Sequence, residues 1–285
     1  MLLPLLAVHI ADNVLSWPWV AAGWIGLAGL MMAGAWRIRE DDVPRVALMT
    51  AAFFVASSMH IPLGPGSAHL LLNGLVGVIL GWRAGLAIPL GLFMQAVLLN
   101  HGGYSTIGIN SCIMTVPALL ACPLFAVLQR TPGICRPWFR GVLVGVSAFV
   151  LLLSLVNAGC LLYGKLHGGT LDLTLARDIA FHPGMLLGAA VLAALAALAE
   201  TRLDHAPEFP LGLLVGELSV LLTVILHTAV LILGGEQDWQ AWALLDLLIH
   251  LPIAVIEGAI VGFTVGFLVR VKPEMLGWTA REEAV

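Results

Sequence analysis

Charge is scarce in this sequence: only 11% of its 285 residues are Asp, Glu, Lys or Arg, whereas 60% are hydrophobic. The mean hydropathy is +1.00, which is typical of membrane proteins and not of soluble folds. Blocks of basic residues are absent, so nucleic acid is not expected as a partner. The four cysteines include no C-x-x-C pair, so the sequence predicts neither a disulfide framework nor a zinc site.

The signatures of common enzymes are also missing. The chain contains no G-x-x-x-x-G-K-[ST] loop, so it does not hydrolyse a nucleotide through a P-loop. Neither H-E-x-x-H nor G-x-S-x-G occurs, and no Ser–His–Asp set is readable. We therefore expect a binding or transport protein and not an enzyme.

What the sequence does have is long apolar runs. Nine segments stand out, near 17–36, 46–60, 69–82, 84–100, 111–128, 140–163, 180–199, 211–233 and 242–270. Runs of about 17 to 25 apolar residues suit helices that cross the bilayer core. The sequence thus predicts an all-α polytopic membrane helix bundle with about seven to nine transmembrane segments, as a single integral membrane domain over 1–285. The second to fourth segments are short, so one of them is expected to be broken or re-entrant.

Lysine and arginine are distributed unequally between the two ends of these segments. With the N-terminus outside, only Lys165 and Arg177 lie outside, and the other eleven of the 13 Lys and Arg residues lie on the cytoplasmic side. Because cytoplasmic loops are rich in these residues, we expect the N-terminus outside and the C-terminus in the cytoplasm. The expected location is the cytoplasmic (inner) membrane, with several crossings.

The histidines follow the opposite distribution. Eight of the nine lie at or near the outer ends of segments: His9, His60, His69, His101, His167, His182, His227 and His250. Histidine is the commonest metal ligand near neutral pH. The sequence therefore predicts an outward-facing cation site.

Three stretches carry the candidate residues. In "MHIPLGPGSAHLLLNG" (59–74), Pro and Gly exclude a regular helix, so His69 is expected at the start of the next helix with His60 within reach. "LLNHGGYSTIGINSCIM" (98–114) has no charge but many hydrogen-bonding groups, and we interpret it as a wall over the site. Its candidate residues are His101, Gly102, Gly103, Tyr104, Ser105, Thr106 and Asn110.

The third stretch, "DLLIHLPIAVIEGAIVGF" (246–263), places Glu257 two helical turns after His250, on about the same face. A carboxylate within a membrane is costly and usually points inward to a partner. Glu257 is expected either to support a metal-bound histidine or to act as a structural hydrogen-bond anchor. The sequence leaves both alternatives open.

Together these stretches resemble the CbiM/NikM family of substrate-binding membrane components of energy-coupling-factor (ECF) cobalt and nickel transporters. The similar motifs are "VHIADNVLS", "PGSAHLLLNGLVGVILG", "MQAVLLNHGGYSTIGINSCIM" and "HLPIAVIEGAIVGFTVGFL", in family order. The resemblance implies Ni(II) or Co(II) as transported substrate and no permanently bound cofactor. It also implies partners: a transmembrane coupling subunit, two cytoplasmic ABC ATPases, a small accessory membrane subunit and the lipid bilayer.

The resemblance further implies a metal site at the amino terminus. In the family, the terminal amine, the amide nitrogen and imidazole of the second residue and a loop histidine bind the metal. Carried over, His9 and His69 are the ligands, Val8 would supply the amine, and Asn110 would line the pocket. His60 and His101 are alternative ligands, and His250 and Glu257 are candidates at or behind the site.

Two departures from the family pattern affect these expectations. Histidine is residue nine and not residue two, so we expect that residues 1–7 are not part of the functional chain. Residues 165–209, around the apolar run 180–199, resemble an inserted helix. Two other classes of function compete with the transporter component. One is a proton-coupled secondary permease that uses Glu257 as a relay, and the other is a membrane metalloenzyme.

Overall fold

The computed structural model describes residues 9–63, 66–131, 133, 136–166, 182–202, 208–237 and 239–276. The helices in this part of the chain are α1 (Trp17–Ala35), α2 (Val43–Ser58), α3 (Asn73–Leu80), α4 (Ala84–Leu99), α5 (Ile107–Arg130), α6 (Pro137–Leu166), α7 (Pro183–Arg202), α8 (Glu208–Gly234) and α9 (Gln240–Val271). Strands β1 (His60–Leu63) and β2 (Gly66–His69) form a short antiparallel hairpin. The prediction of an all-α bundle is confirmed, with this hairpin as the local exception.

Seven helical stretches in the described ranges are long and apolar enough to cross a membrane. They are Trp17–Ala35, Asn73–Leu99, Ile107–Arg130, Pro137–Val156, Pro183–Arg202, Glu208–Gly234 and Asp246–Val271. Side chains on their outer surfaces, such as Ile25, Val127 and Phe263, are more than half exposed, as lipid contact requires. The protein is therefore a multi-pass membrane protein.

The stretch Asn73–Leu99 is bent back on itself. Gly81 has a φ of 57°, and a short turn follows it before α4 begins. α3 runs alongside α5, where Asn73 Nδ2 donates to the carbonyl of Met114, whereas α4 runs against α1, with Gly85 close to Leu30. The eight residues of α3 span only about 12 Å, so α3 begins inside the bundle. This is the broken segment that the short apolar runs predict.

The two ends of the bundle differ in their polar groups. At one end, which we call the arginine end, Arg83 in the turn between α3 and α4 lies 2.5 Å from the carboxylate of Asp42, between α1 and α2. At the other end, which we call the histidine end, His9, His69 and His101 meet. The core between them includes the fully buried side chains of Phe53, Leu71, Ile88, Met114 and Phe125.

Helices α8 and α9 pack with their backbones in contact. A Cβ added to Gly212 would lie 2.6 Å from the Cα of Gly262, and one added to Gly216 would lie 2.7 Å from the Cα of Gly258. Such distances leave no room for any side chain, so glycine at these positions is what permits the helix pair. This contact fixes the position of α9 along the axis of α8.

Helices α6 and α7 form a pair at the side of the bundle. Gly141 and Gly145 of α6 face the backbone of Ala197 and Ala193 of α7, so this contact also uses small residues. Most of the large apolar side chains of α7 are exposed, for example Leu187 at 67%. The predicted insertion 165–209 contains α7; residues 167–181 and 203–207 lie outside the described residues, as do residues 1–7.

Candidate metal centre

Three imidazoles from three separate segments meet at the histidine end. His9 precedes α1, His69 ends β2, and His101 follows α4. Nδ1 of His9 lies 3.1 Å from Nε2 of His69 and 3.1 Å from Nε2 of His101. The three potential ligand atoms all lie within 4.8 Å of one another. Among the described residues, no other group of three or more His, Cys, Asp or Glu could hold a metal ion in this way.

The three histidines differ in access to solvent. His69 is fully buried and His9 is 7% exposed, whereas His101 is only partly buried. The rings are tilted against each other, with centroids 4.4 Å apart for His9 and His101 and 4.8 Å apart for His9 and His69. Imidazole nitrogens suit transition metals such as nickel, copper, iron and zinc. His101 is the most accessible of the three imidazoles.

The backbone next to His9 is held by one side chain of α5. Asn110 accepts a hydrogen bond from the amide of Ile10 at 3.0 Å and donates one to its carbonyl at 3.0 Å. The hydroxyl of Thr106 donates to the same carbonyl at 2.6 Å. A side chain that pairs with both backbone groups of one residue replaces a strand partner, and it fixes the peptide that carries the His9 imidazole.

Asp12 joins the same N-terminal segment to the loop that carries His101. Its carboxylate accepts hydrogen bonds from the amides of Tyr104 at 3.0 Å and Ser105 at 2.8 Å, and from the Ser105 hydroxyl. Partial burial opposes ionisation here, but the hydrogen bonds from Ser105 and Tyr104 outweigh it and lower the pKa of Asp12 below its ordinary value. The carboxylate therefore stays ionised and holds the loop at neutral pH.

The loop between α4 and α5 fits the N-terminal segment only because it contains glycine. Gly102 has a φ of 78°, and a Cβ there would lie 3.5 Å from the Cβ of His9. A Cβ on Gly103 would lie 2.4 Å from the amide nitrogen of Asp12. Tyr104 is half-exposed, and its hydroxyl donates to the side-chain oxygen of Asn100 at 3.3 Å. The predicted wall over the site is thus in contact with His9 and Asp12.

Among the described residues, the hydrogen bonds of Glu257 go to backbone amides and not to an imidazole. Its carboxylate, 1% exposed on α9, accepts hydrogen bonds from the amide of Leu71 and, at 2.9 Å, from that of Leu72. These residues follow His69 by two and three positions. Of the two alternatives left open by the sequence, the structure shows the hydrogen-bond anchor, and the backbone that it anchors carries His69.

Comparison with known proteins identifies the family. The sequence matches the family described as cobalt uptake substrate-specific transmembrane region, CbiM, over residues 9–182 and 141–275. The chain belongs to the CbiM family. These two ranges contain His9, His69, His101, Asn110 and Glu257, so the family match covers the candidate centre.

Individual CbiM-type relatives match shorter parts of the chain. A Haemophilus influenzae protein described as a metal transport protein is 38% identical over 157 residues, which are 52% of this chain and 76% of that protein. The cobalt transport protein CbiM of Thermosynechococcus vestitus is 34% identical over 40% of this chain and 47% of its own length. That of Sorangium cellulosum is 31% identical over 50% of this chain and 66% of its own. The match thus spans about half to two thirds of these two CbiM proteins.

A solved structure has the same fold as this CbiM family member. A transition metal transporter covers 92% of this chain and 93% of its own, with a TM-score of 0.51 and 18% sequence identity. At this level of identity the likeness concerns the path of the helices only.

This member of the CbiM family has a second buried polar cluster that sequence reasoning missed. His227 Nδ1 lies 2.9 Å from one carboxylate oxygen of Asp246, and His250 Nδ1 lies 3.2 Å from the other and 2.8 Å from the Asp246 carbonyl. His250 therefore lies with Asp246 and not with the three histidines. The four-residue spacing of Asp246 and His250 on one helix is the signal that could have found this pair.

Of two further predicted site residues, Val8 and His60, the structure describes only the backbone of His60. Val8 lies outside the described residues. For His60 the structure gives the backbone, which pairs with His69 directly across the β1–β2 hairpin. The register brings this fourth histidine of the sequence to the same level of the hairpin as His69.

Proposed function

We propose that this chain captures Ni(II) or Co(II) at its histidine end, as the substrate-specific component of an ATP-driven ECF-type metal uptake transporter. The observation that carries the proposal is the convergence of His9, His69 and His101, whose ligand atoms lie within 4.8 Å of one another. The printed descriptions of the family and its relatives, cobalt uptake and cobalt transport, support the choice of substrate.

The chemistry of the three ligands agrees with this class of ion. Neutral imidazole nitrogens favour late first-row transition metals over Mg(II) and Ca(II), which take oxygen ligands. The resemblance to the CbiM/NikM family adds the amide nitrogen of His9 and a nitrogen at Val8, which would give Ni(II) or Co(II) an all-nitrogen set. The ion is cargo, so His101, the most accessible of the three imidazoles, is a suitable first ligand for arriving metal.

In this proposal the chain needs partners to couple ATP hydrolysis to the uptake of the ion, because its sequence contains no P-loop. We assign ATP hydrolysis to two cytoplasmic ABC ATPases, which act through a transmembrane coupling subunit, with a small accessory membrane subunit as a further partner. In this proposal the histidine end faces outward, the arginine end and the C-terminus face the cytoplasm, and the chain lies in the inner membrane. The excess of arginine at one end supports this orientation.

One observation favours a proton-coupled permease as a second candidate. Asp246, His250 and Glu257 lie along α9, and all three are at most 8% exposed. Against a relay across the membrane, the residues after Glu257 on α9 are apolar up to Thr264. Because both oxygens of Glu257 already accept backbone hydrogen bonds, the ECF-type component remains our proposal.

Metal binding and uptake test the proposal in two steps. In detergent, equilibrium dialysis with Ni(II) or Co(II) is expected to give one ion per wild-type chain. The His69→Ala variant should lose this binding, whereas His182→Ala, which changes an exposed histidine immediately before α7, should keep it.

Uptake of the radioactive ion is then measured in cells that express the chain alone, with an ECF coupling subunit and active ATPases, or with ATPases inactivated in their P-loops. Uptake only with active ATPases is the expected result. Uptake by the chain alone that collapses with the proton gradient would instead establish the permease, and absence of saturable binding would refute both.

A further inference from the structure

We propose that Glu257 is a positioning residue for the metal centre: its carboxylate fixes the backbone at Leu71 and Leu72 and thereby the imidazole of His69. This inference rests on the proposed function of the three histidines. It assigns to Glu257 a measurable effect on metal affinity and on ligand geometry, beyond holding α9 in the bundle.

The segment that Glu257 holds has no regular structure of its own. Leu70 to Leu72 lie between the end of β2 and the start of α3, and Leu72 has a φ of 47° in the left-handed region. Amides at the start of a helix have no partner within the helix. Two consecutive amides here donate to the oxygens of one side chain, which lies at the N-terminus of α3.

The anchored backbone is directly connected to the ligand. Leu70 is the one residue between His69 and the first anchored amide, and His69 Nδ1 lies 3.2 Å from the Leu70 carbonyl. A shift of the Leu71 backbone therefore changes both the direction of the His69 ring and the oxygen that its Nδ1 contacts. Since the contact at Nδ1 decides which nitrogen of an imidazole is available to a metal, this geometry affects binding directly.

Glu257 is itself held on a rigid support. The next residue, Gly258, is in backbone contact with Gly216 of α8, so α9 cannot slide at this height. Two turns earlier on α9, His250 is oriented by its hydrogen bonds to Asp246. Through the hydrogen bonds of Glu257, the position of the α8–α9 pair therefore determines the position of the segment that follows His69.

A matched control is available in the same membrane region. Glu217 of α8 is also a carboxylate within a transmembrane helix, but it lies near Ser147 of α6, whose hydroxyl donates to the carbonyl of Leu143. Its side chain also lies beside Gly258, at 2.8 Å from the position of an added Cβ. The variant Glu217→Gln removes a membrane carboxylate next to the α8–α9 contact, and none of the hydrogen bonds at Leu71 and Leu72 involves Glu217.

The experiment compares wild type, Glu257→Gln, Glu257→Asp and Glu217→Gln as purified full-length chains. It measures the dissociation constant for Ni(II) by competition with a chelator and the d–d absorption spectrum of bound Co(II). Loss of a supporting residue behind a metal ligand typically costs about 10-fold to 100-fold in affinity. We expect a loss in this range and a changed spectrum for Glu257→Gln, a smaller loss for Glu257→Asp, and wild-type values for Glu217→Gln.

The outcomes separate this inference from the proposed function. If wild type binds metal and both Glu257 variants keep its affinity and spectrum, the positioning role is refuted while the metal site stands, even if the variants melt at a lower temperature. If wild type binds neither ion, the proposed function fails and this inference fails with it. Should Glu257→Gln not fold, the shorter carboxylate of Glu257→Asp decides, because it keeps the charge and changes only the reach.

Discussion

Two histidine clusters lie towards the same end of this bundle, and they differ in what stands between the imidazoles. In the cluster of His227, Asp246 and His250, the carboxylate of Asp246 lies 2.9 Å from a nitrogen of His227 and 3.2 Å from a nitrogen of His250. In the cluster of His9, His69 and His101, the near neighbours of one ring nitrogen are the nitrogens of the other two rings. The first cluster contains a carboxylate between its two imidazoles, whereas the second contains three imidazoles.

The difference shows how burial alone fails to identify a site. Both clusters contain buried histidines, and each joins more than one segment of the chain. An imidazole nitrogen that donates to a carboxylate already has its partner, and removing that partner destabilises the fold. Three imidazole nitrogens that face each other gain most when a cation lies between them. The composition of the cluster, and not its depth, separates a binding site from a structural contact.

Removal of one histidine from each cluster should give the largest contrast. The His69→Ala variant is expected to lose more than about 100-fold in Ni(II) affinity, because a direct ligand contributes more than the supporting residues behind it. The His227→Leu variant should bind Ni(II) nearly as wild type does. Isothermal titration of both variants measures this contrast, and equal losses in the two would show that the clusters do not differ in function.

For stability without metal, we expect the opposite order: the His227→Leu variant should lose more than the His69→Ala variant. His227→Leu leaves the buried Asp246 side chain with one hydrogen-bond partner fewer, which typically costs about 1 to 3 kcal/mol. Thermal unfolding in detergent without metal measures this loss, and Thr228→Val, one residue further along α8, serves as the control. A melting temperature of His227→Leu equal to that of the control would contradict the structural role of this cluster.

A smaller effect is expected from the residue that holds the backbone beside His9. Asn110→Ala removes both hydrogen bonds to Ile10, worth about 1 to 2 kcal/mol together, and should weaken Ni(II) binding about tenfold. Ser111→Ala, a buried neighbour on α5 without hydrogen bonds to Ile10, is the matched control. Equal dissociation constants for the two variants would show that the position of His9 does not depend on Asn110.

The smallest effect concerns Asp12, whose carboxylate is exposed. Because its pKa is lowered in the folded chain, its contribution to stability is complete above about pH 4 and is lost as the pH falls through the lowered value. Asp12→Asn should destabilise the chain by about 1 kcal/mol or less at pH 7, since exposed charges contribute little. The difference in melting temperature between variant and wild type should shrink below pH 4; a constant difference would exclude this explanation.

Much of the centre could be predicted from single residues, because their chemistry is local. Residue type and position at the ends of apolar runs select eight histidines, and the resemblance to the CbiM/NikM family selects His9 and His69 among them. The break between α3 and α4 follows from short apolar segments. The partner of Glu257 could not be predicted, since it depends on how α9 packs against a turn 185 residues earlier in the chain. For the same reason, the sequence spacing can predict that Asp246 lies near His250 on the same helix, but it cannot predict the contact of Asp246 with His227 on α8.

The contact between α8 and α9 has a consequence for which substitutions the chain can tolerate. Each of Gly212, Gly216, Gly258 and Gly262 touches the backbone or a side chain of the opposite helix where a methyl group would have to stand. A single added carbon at any of these positions forces the helices apart, whereas whole side chains on the outer surface of α7 are free to vary. We therefore expect natural sequence variation in this protein to be smallest at these four glycines.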